Sequence, residues 1–202
     1  MPLWGTAHAS ADNKPKFLSE DENSDYTKGN VYATQAGWVM QAGTAASGND
    51  NTSATPEVLV AIGDLAGADA SSGLRAPTVT DIRFVTSAPA DGTADQTITV
   101  EITWDEQVTV VGTPQVVVAN GDESGDGDGN YTLSYTASGS TANRKRFTAG
   151  SLTCSATDVL TLGGTNISLN GGTISDTVVG GTTLAASLVL TGLTAVTQTV
   201  TA

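Results

Sequence analysis

The chain has 202 residues, room for one or two domains, and carries 8 Lys+Arg against 21 Asp+Glu for a net charge of −13. That acidity argues against direct nucleic-acid binding, which needs a basic patch to neutralise phosphate. It suits solubility, or display on a crowded surface. Charged residues make up only 14% and Gly reaches 23, a composition that favours turn-rich β structure over long helices.

Residues 1–30 read as an arm. Met1 to Trp38 holds five of the ten aromatic residues, Trp4, Phe17, Tyr26, Tyr32 and Trp38, with no sustained helical or strand period. Large aromatics on an irregular polar arm cannot cover one another well, so they should find cover on a partner or on a neighbouring copy. Pro15 holds Lys14-Pro15-Lys16-Phe17-Leu18 extended. Lys14 and Lys16, beside Phe17, could pair with an acidic surface while their stems cover apolar area.

Val31-Tyr32-Ala33-Thr34 and Trp38-Val39-Met40-Gln41, split by Gln35-Ala36-Gly37, predict a short hairpin. The apolar run from Pro56 to Gly63 predicts a third strand. Together 31–63 make a small sheet, barely enough for independent stability. Asp64 to Ala76, poor in apolar bulk, reads as a linker.

From Pro77 short strands alternate with turns. Val79–Val85 is one. Thr97–Trp104 alternates strictly, with Ile98, Val100, Ile102 and Trp104 on one face and Thr97, Thr99, Glu101 and Thr103 on the other. Val108–Val111, Gln115–Ala119, Tyr131–Tyr135 and Arg146–Cys154 follow. Asn166–Leu169 and Thr173-Ile174 flank the turn signal Asn170-Gly171-Gly172, and Leu184–Leu190 closes the set. This rhythm predicts an immunoglobulin-like β-sandwich over 77–191 with Trp104 as its core anchor. The uncharged tail, 192–202, is a last edge strand of that domain or a strand offered to a neighbour's sheet edge. The expected fold is therefore all-β: an extended arm and small sheet over 1–63, a linker over 64–76, then the sandwich.

Two stretches resemble known families. Thr97–Trp104, Val108-Thr109-Val110 before Gly112-Thr113-Pro114-Gln115, Tyr135 before Gly139-Ser140, and Ile167–Ile174 followed by Asp176 resemble Ig-like repeats of large bacterial surface proteins and phage structural proteins. The usual Ala-Gly-Asn type turn after that Asp is replaced here by Val178-Val179-Gly180-Gly181. The departure leaves the implied fold intact and bears on any calcium site the family would imply. Met1-Pro2-Leu3-Trp4-Gly5, Lys14-Pro15-Lys16, Val31–Thr34, Gly37-Trp38-Val39 and Glu57–Ala61 resemble, in that order, the opening of virion structural proteins from tailed phages of marine cyanobacteria and related marine bacteria. This second resemblance implies a particle component.

Little chemistry competes with a structural role. Asp122, Glu123, Asp126 and Asp128 alternate in a Gly-rich loop that could wrap Ca²⁺, but no Glu falls at the twelfth position of an EF-hand. A solvated acidic hairpin loop is the plainer reading, so neither a metal site nor a cofactor is expected. Cys154 is the only cysteine and His8, in the arm, the only histidine. Cys154 is therefore read as a small buried hydrophobe at a strand end. Arg144-Lys145-Arg146 either meets an acidic neighbour or an anionic glycan, or flanks a strand and faces water. Asp105-Glu106 reads as an ordinary turn pair. No nucleophile elbow or phosphate loop occurs, and an enzyme is not expected.

The start of the chain lacks the basic and apolar regions of a signal peptide, and no window approaches ~20 apolar residues. The expectation is a capsid decoration protein, assembled in the host cytoplasm, on the virion surface at high copy number. It would dock on the major capsid protein or other virion proteins through Trp4, Lys14, Lys16, Phe17, Tyr32 and Trp38. Rival readings are a neck, tail or baseplate component, or a cell-surface adhesion or glycan-binding module; a displayed Ig-like domain could also touch a host-surface glycan.

Overall fold

A computed structural model describes residues 18, 28–44, 47, 49–66, 74, 76–90, 96–121, 129–177 and 183–202. Trp4, Lys14, Lys16, Phe17, Asp122, Glu123, Asp126 and Asp128 lie outside them. The architecture is all-β, with a one-turn 3-10 helix at Lys28–Asn30.

β1 (Val31–Thr34) and β2 (Gly37–Met40) form the expected hairpin, and β3 (Glu57–Ala61) adds to β2 to give the order β1-β2-β3. Gly37 closes the turn at φ 126°, and a Cβ there would run into the carbonyl of Val60, so only glycine fits. The pleat sends Val31, Ala33, Trp38 and Met40 to one face, where Leu18, Leu65 and Leu74 complete a small core. Tyr32 and Val39 are cross-strand partners on the other face, and both are buried as well. The chain after β3 folds back over the hairpin: Ile62, Asp64 and Ala66 donate to the carbonyls of Ala36, Gln35 and Thr34.

The second unit comprises β4 (Val79–Phe84), β5 (Gln96–Trp104), β6 (Val108–Val111), β7 (Gln115–Gly121), β8 (Tyr131–Thr136), β9 (Arg144–Leu152), β10 (Val159–Leu162), β11 (Thr173–Asp176) and β12 (Val196–Thr199). Seven of them form one antiparallel sheet in the order β12-β10-β7-β8-β9-β5-β4, and β6 and β11 pair as a separate ribbon. The sheet curls until its ends nearly meet. Gln198 Nε2 of β12 donates to Thr86 O just past β4, and Thr201 N donates to Pro89 O. The expected sandwich would have two sheets; here the β7–β8 pairing makes one continuous, barrel-like sheet.

Its interior is the face that alternation assigned to β5. Ile98, Val100, Ile102 and Trp104 are fully buried with Phe147, Leu133, Val116, Leu160 and Leu162. Trp104 also donates from Nε1 to Ser187 O at 3.0 Å, which satisfies its one polar group.

Three strand expectations differ. Val159–Leu162, unassigned from sequence, is β10, an internal strand between β12 and β7. Asn166–Leu169 and Leu184–Leu190 contribute only isolated bridges, Gln115–Ser168 and Ser175–Ala185. The Asn170-Gly171 turn forms, with φ of 46° and 77°, but its flanks part company. Ser168 pairs with Gln115 of the large sheet, whereas Thr173–Asp176 enters the ribbon. The tail pairs with β10 of the same unit.

Candidate functional site

The two units meet along the open edge of β1. Ala33 N donates to Asp105 O at 2.7 Å, and Ala33 forms a parallel bridge with Glu106, the turn after β5. Asn143, fully buried, donates from Nδ2 to Gly29 O at 3.2 Å and to Trp104 O at 3.0 Å, linking the units by one side chain. Arg144 Nε donates to Gly29 O at 3.0 Å.

Of the expected docking residues, Tyr32 and Trp38 fall among the described ones. Both are covered by this chain: Trp38 is 0% exposed and Tyr32 2%. Trp38 belongs to the small core, and Tyr32 is buried on the opposite face of the sheet. Burial also raises the Tyr32 phenol above its ordinary pKa. The exposed element of this sheet is β3, an edge strand whose Val58 is 47% exposed.

A cavity of about 290 Å³ opens at the junction. Ala33, Ala36 and Ala66 line it from the first unit with Thr34 and Gln35. From the second unit come Glu106, Gln107, Asp176 and Thr177. Strand register explains the convergence. β11 pairs with β6 so that Asp176 lies opposite Val108, two residues beyond Glu106.

Glu106 is the unusual member. It is 5% exposed, and its Oε1 has no hydrogen-bond partner among the described residues. Burial pushes its carboxyl up to about 8, and the charges of Asp105 and Asp176 push the same way. Its neighbours are better held: Asp105 Oδ1 accepts from Thr78 N at 2.6 Å, and Asp176 Oδ1 from Leu184 N at 2.8 Å. Among the described residues no group of three His, Cys, Asp or Glu side chains is placed to hold a metal ion.

A second buried carboxylate, Glu101, faces outward from β5. Cross-strand register sets Arg83 and Arg146 directly beside it. Arg83 Nη2 lies 2.6 Å from Oε1, Arg146 Nε 3.0 Å from Oε2, and Arg144 Nε 3.7 Å from Oε1. Alternation thus splits Arg144-Lys145-Arg146: the arginines cover Glu101, and Lys145 turns inward to donate to Thr141 O at 2.6 Å. Burial lowers the Lys145 ammonium to about 8. Cys154 is buried, as expected.

Sequence reasoning passed over Glu106 and Asp176. Asp105-Glu106 looked like a turn pair, and Asp176 was only the end of a turn motif. What joins them is the β6–β11 pairing, which no local pattern announces. Comparison with protein-family models, with curated proteins and with solved structures finds no match.

Proposed function

We propose that this chain is a non-catalytic virion structural protein of a tailed phage, a decoration protein of the outer capsid. Its N-terminal arm and small sheet dock on the major capsid protein, and the larger β unit is displayed outward. The observation that carries the reading is the order of short motifs from Met1-Pro2-Leu3-Trp4-Gly5 through Glu57–Ala61, which is similar to the opening of virion structural proteins of tailed phages and implies a particle component.

Two structural features support it. The outer edge of β3, unpaired among the described residues and with Val58 exposed, is suited to strand pairing with another chain. β1 has its own edge engaged by Asp105-Glu106, so β3 is the side left for a partner. Many weak contacts on a lattice become cumulative.

In this reading the larger unit is a divergent Ig-like domain. Taking β4, β5, β7, β8, β9, β10 and β12 as strands A to G, the order β4-β5-β9-β8 corresponds to the ABED sheet and β7-β10-β12 to the CFG sheet. The C–D pairing between β7 and β8 then fuses the two halves. The buried Trp104 lies on the B strand in this scheme, and no disulfide joins the halves.

The test is occupancy on assembled particles. A variant beginning at Lys28 keeps β1–β3 and removes the arm. Decoration of purified capsids should fall by at least tenfold, and full occupancy by this variant overturns docking through the arm. A map placing the wild-type chain at the neck, tail or baseplate, at low copy number, moves the assignment there.

A further inference from the structure

The junction cavity joins two kinds of wall. One side carries the carboxylate residues Glu106 and Asp176, and the other the small residues Ala33, Ala36 and Ala66. We propose that this cavity binds a primary alkylammonium group, with Glu106 as its counter-ion, Asp176 beside it and the alanines around the alkyl stem. The proposal stands independently of the virion reading.

The argument starts from what Glu106 lacks. A buried carboxyl costs several kcal/mol unless it is protonated, hydrogen-bonded or paired with a cation. Among the described residues Oε1 has no hydrogen-bond partner, and the charges that act on Glu106 are those of Asp105 and Asp176, both acidic. The contrast with Glu101, covered by arginines in the same unit, is direct. Glu106 therefore has an acceptor without a donor, inside a cavity wall.

The kind of cation follows from the rest of the lining. Ca²⁺ needs about 6–8 converging oxygens, and the described carboxylates do not converge in that way. A guanidinium prefers a planar, two-oxygen match. An ammonium needs three acceptors in no fixed plane. Glu106, Asp176 and the hydroxyls of Thr34 or Thr177 can supply them. A wall of small alanine residues leaves room for a methylene stem, which is buried with favour beside its own charged head. The volume, about 290 Å³, falls just short of the ~300–1,000 Å³ of pockets for drug-sized ligands and admits a smaller amine.

Glu106 must ionise to act as counter-ion. Its titration near 8, set by burial and by Asp105 and Asp176, makes affinity rise as pH increases from about 6.5 to 9. An alkylammonium stays charged across that range.

The experiment is an amide-resolved NMR titration of the full chain at pH 8.5 with n-butylammonium chloride. The controls are n-butanol, guanidinium chloride and CaCl₂, and each titration is repeated with Glu106→Gln. Saturable shifts are expected at Ala33–Ala36, Gln107 and Thr177 with butylammonium alone, and at least tenfold weaker binding in the variant. Glu106→Gln removes a buried acid without changing shape, so it should fold at least as well as the wild type. Absence of saturable shifts at those amides, equal binding by the variant, or preferential binding of Ca²⁺ there each overturns the proposal. Nα-acetyl-lysine methylamide separates the sources: binding matching butylammonium points to a lysine on a protein partner, and its failure beside butylammonium binding points to a free amine.

Discussion

Glu101 and Glu106 lie on β5 and the turn that follows it. Both are buried, and their surroundings are opposite in sign. Glu101 is placed mid-strand, where neighbours on β4 and β9 put Arg83 and Arg146 directly against it. Glu106 lies past the strand end, where the β6–β11 ribbon brings Asp176 and the chain itself brings Asp105. Burial alone does not decide what a carboxylate does. Strand register decides it, by supplying the counter-charge in one place and repelling charge in the other. The first glutamate clamps three strands; the second is a site held ready for something positive.

The largest expected effect comes from removing the satisfied carboxylate. Glu101→Ala leaves guanidinium groups of Arg83, Arg144 and Arg146 crowded without their shared partner. Breaking a buried pair from one side costs about 3–5 kcal/mol, to be read from urea denaturation midpoints at constant m. A loss below about 1 kcal/mol would mean the cluster is solvated in practice.

Glu106 should show itself through pH. Its carboxyl is raised from an ordinary 4.5 to about 8. Between those values the folded chain binds more protons than the unfolded one, so stability falls as pH rises. The protonated, more stable form is complete below about 4.5, and the loss is complete above about 8. The slope reaches up to ~1.4 kcal/mol per pH unit, a total of a few kcal/mol. Thermal midpoints taken from pH 5 to 8.5 should fall in the wild type and stay flatter in Glu106→Gln, which should also be the more stable of the two at pH 8.

Asn143 ties the two regions together. Asn143→Ala removes its bonds to Gly29 O and Trp104 O, leaving buried carbonyls with one donor fewer. The cost should be about 1–3 kcal/mol. Hydrogen exchange locates it: protection of β1 and β2 should drop by more than that of β5 and β9. Equal loss throughout would make the small sheet and the barrel one cooperative unit.

Much of this fold was legible where one local pattern suffices. The strict alternation of Thr97–Trp104 placed Ile98, Val100, Ile102 and Trp104 in the core correctly. The Gln35-Ala36 turn announced β1 and β2. The Val159–Leu162 alternation was equally readable but short, and it lay next to a long run of Thr, Gly and Asn that looked like loop. Asn170-Gly171 was a true turn with the wrong consequence, because its flanks pair with different sheets. Alternation separated the two faces of β5 but gave no sign that the polar one is also covered: Glu101 and Thr103 are both buried, Glu101 beneath Arg83 and Arg146. The acidic cavity was illegible for the same reason on a larger scale. Glu106 and Asp176 are far apart in sequence and meet only through pairing of β6 with β11 and through docking of β1.

The smallest predicted effect sharpens the comparison most. Arg146→Ala removes one of the cations around Glu101, and that side chain is 31% exposed. Arg83 still holds Oε1 with two hydrogen bonds, at 2.6 and 3.1 Å, and Arg144 remains at 3.7 Å. A partly exposed pair with a surviving partner is worth about 0.2–1 kcal/mol, so the denaturation midpoint should move little. The carboxylate end of the cluster is a single point of failure, while each cation is one of several. A loss near that of Glu101→Ala would show instead that Arg146 alone neutralises Glu101. Glu101 would then depend on one donor, and the distance between it and Glu106, which has none among the described residues, would shrink to a single side chain.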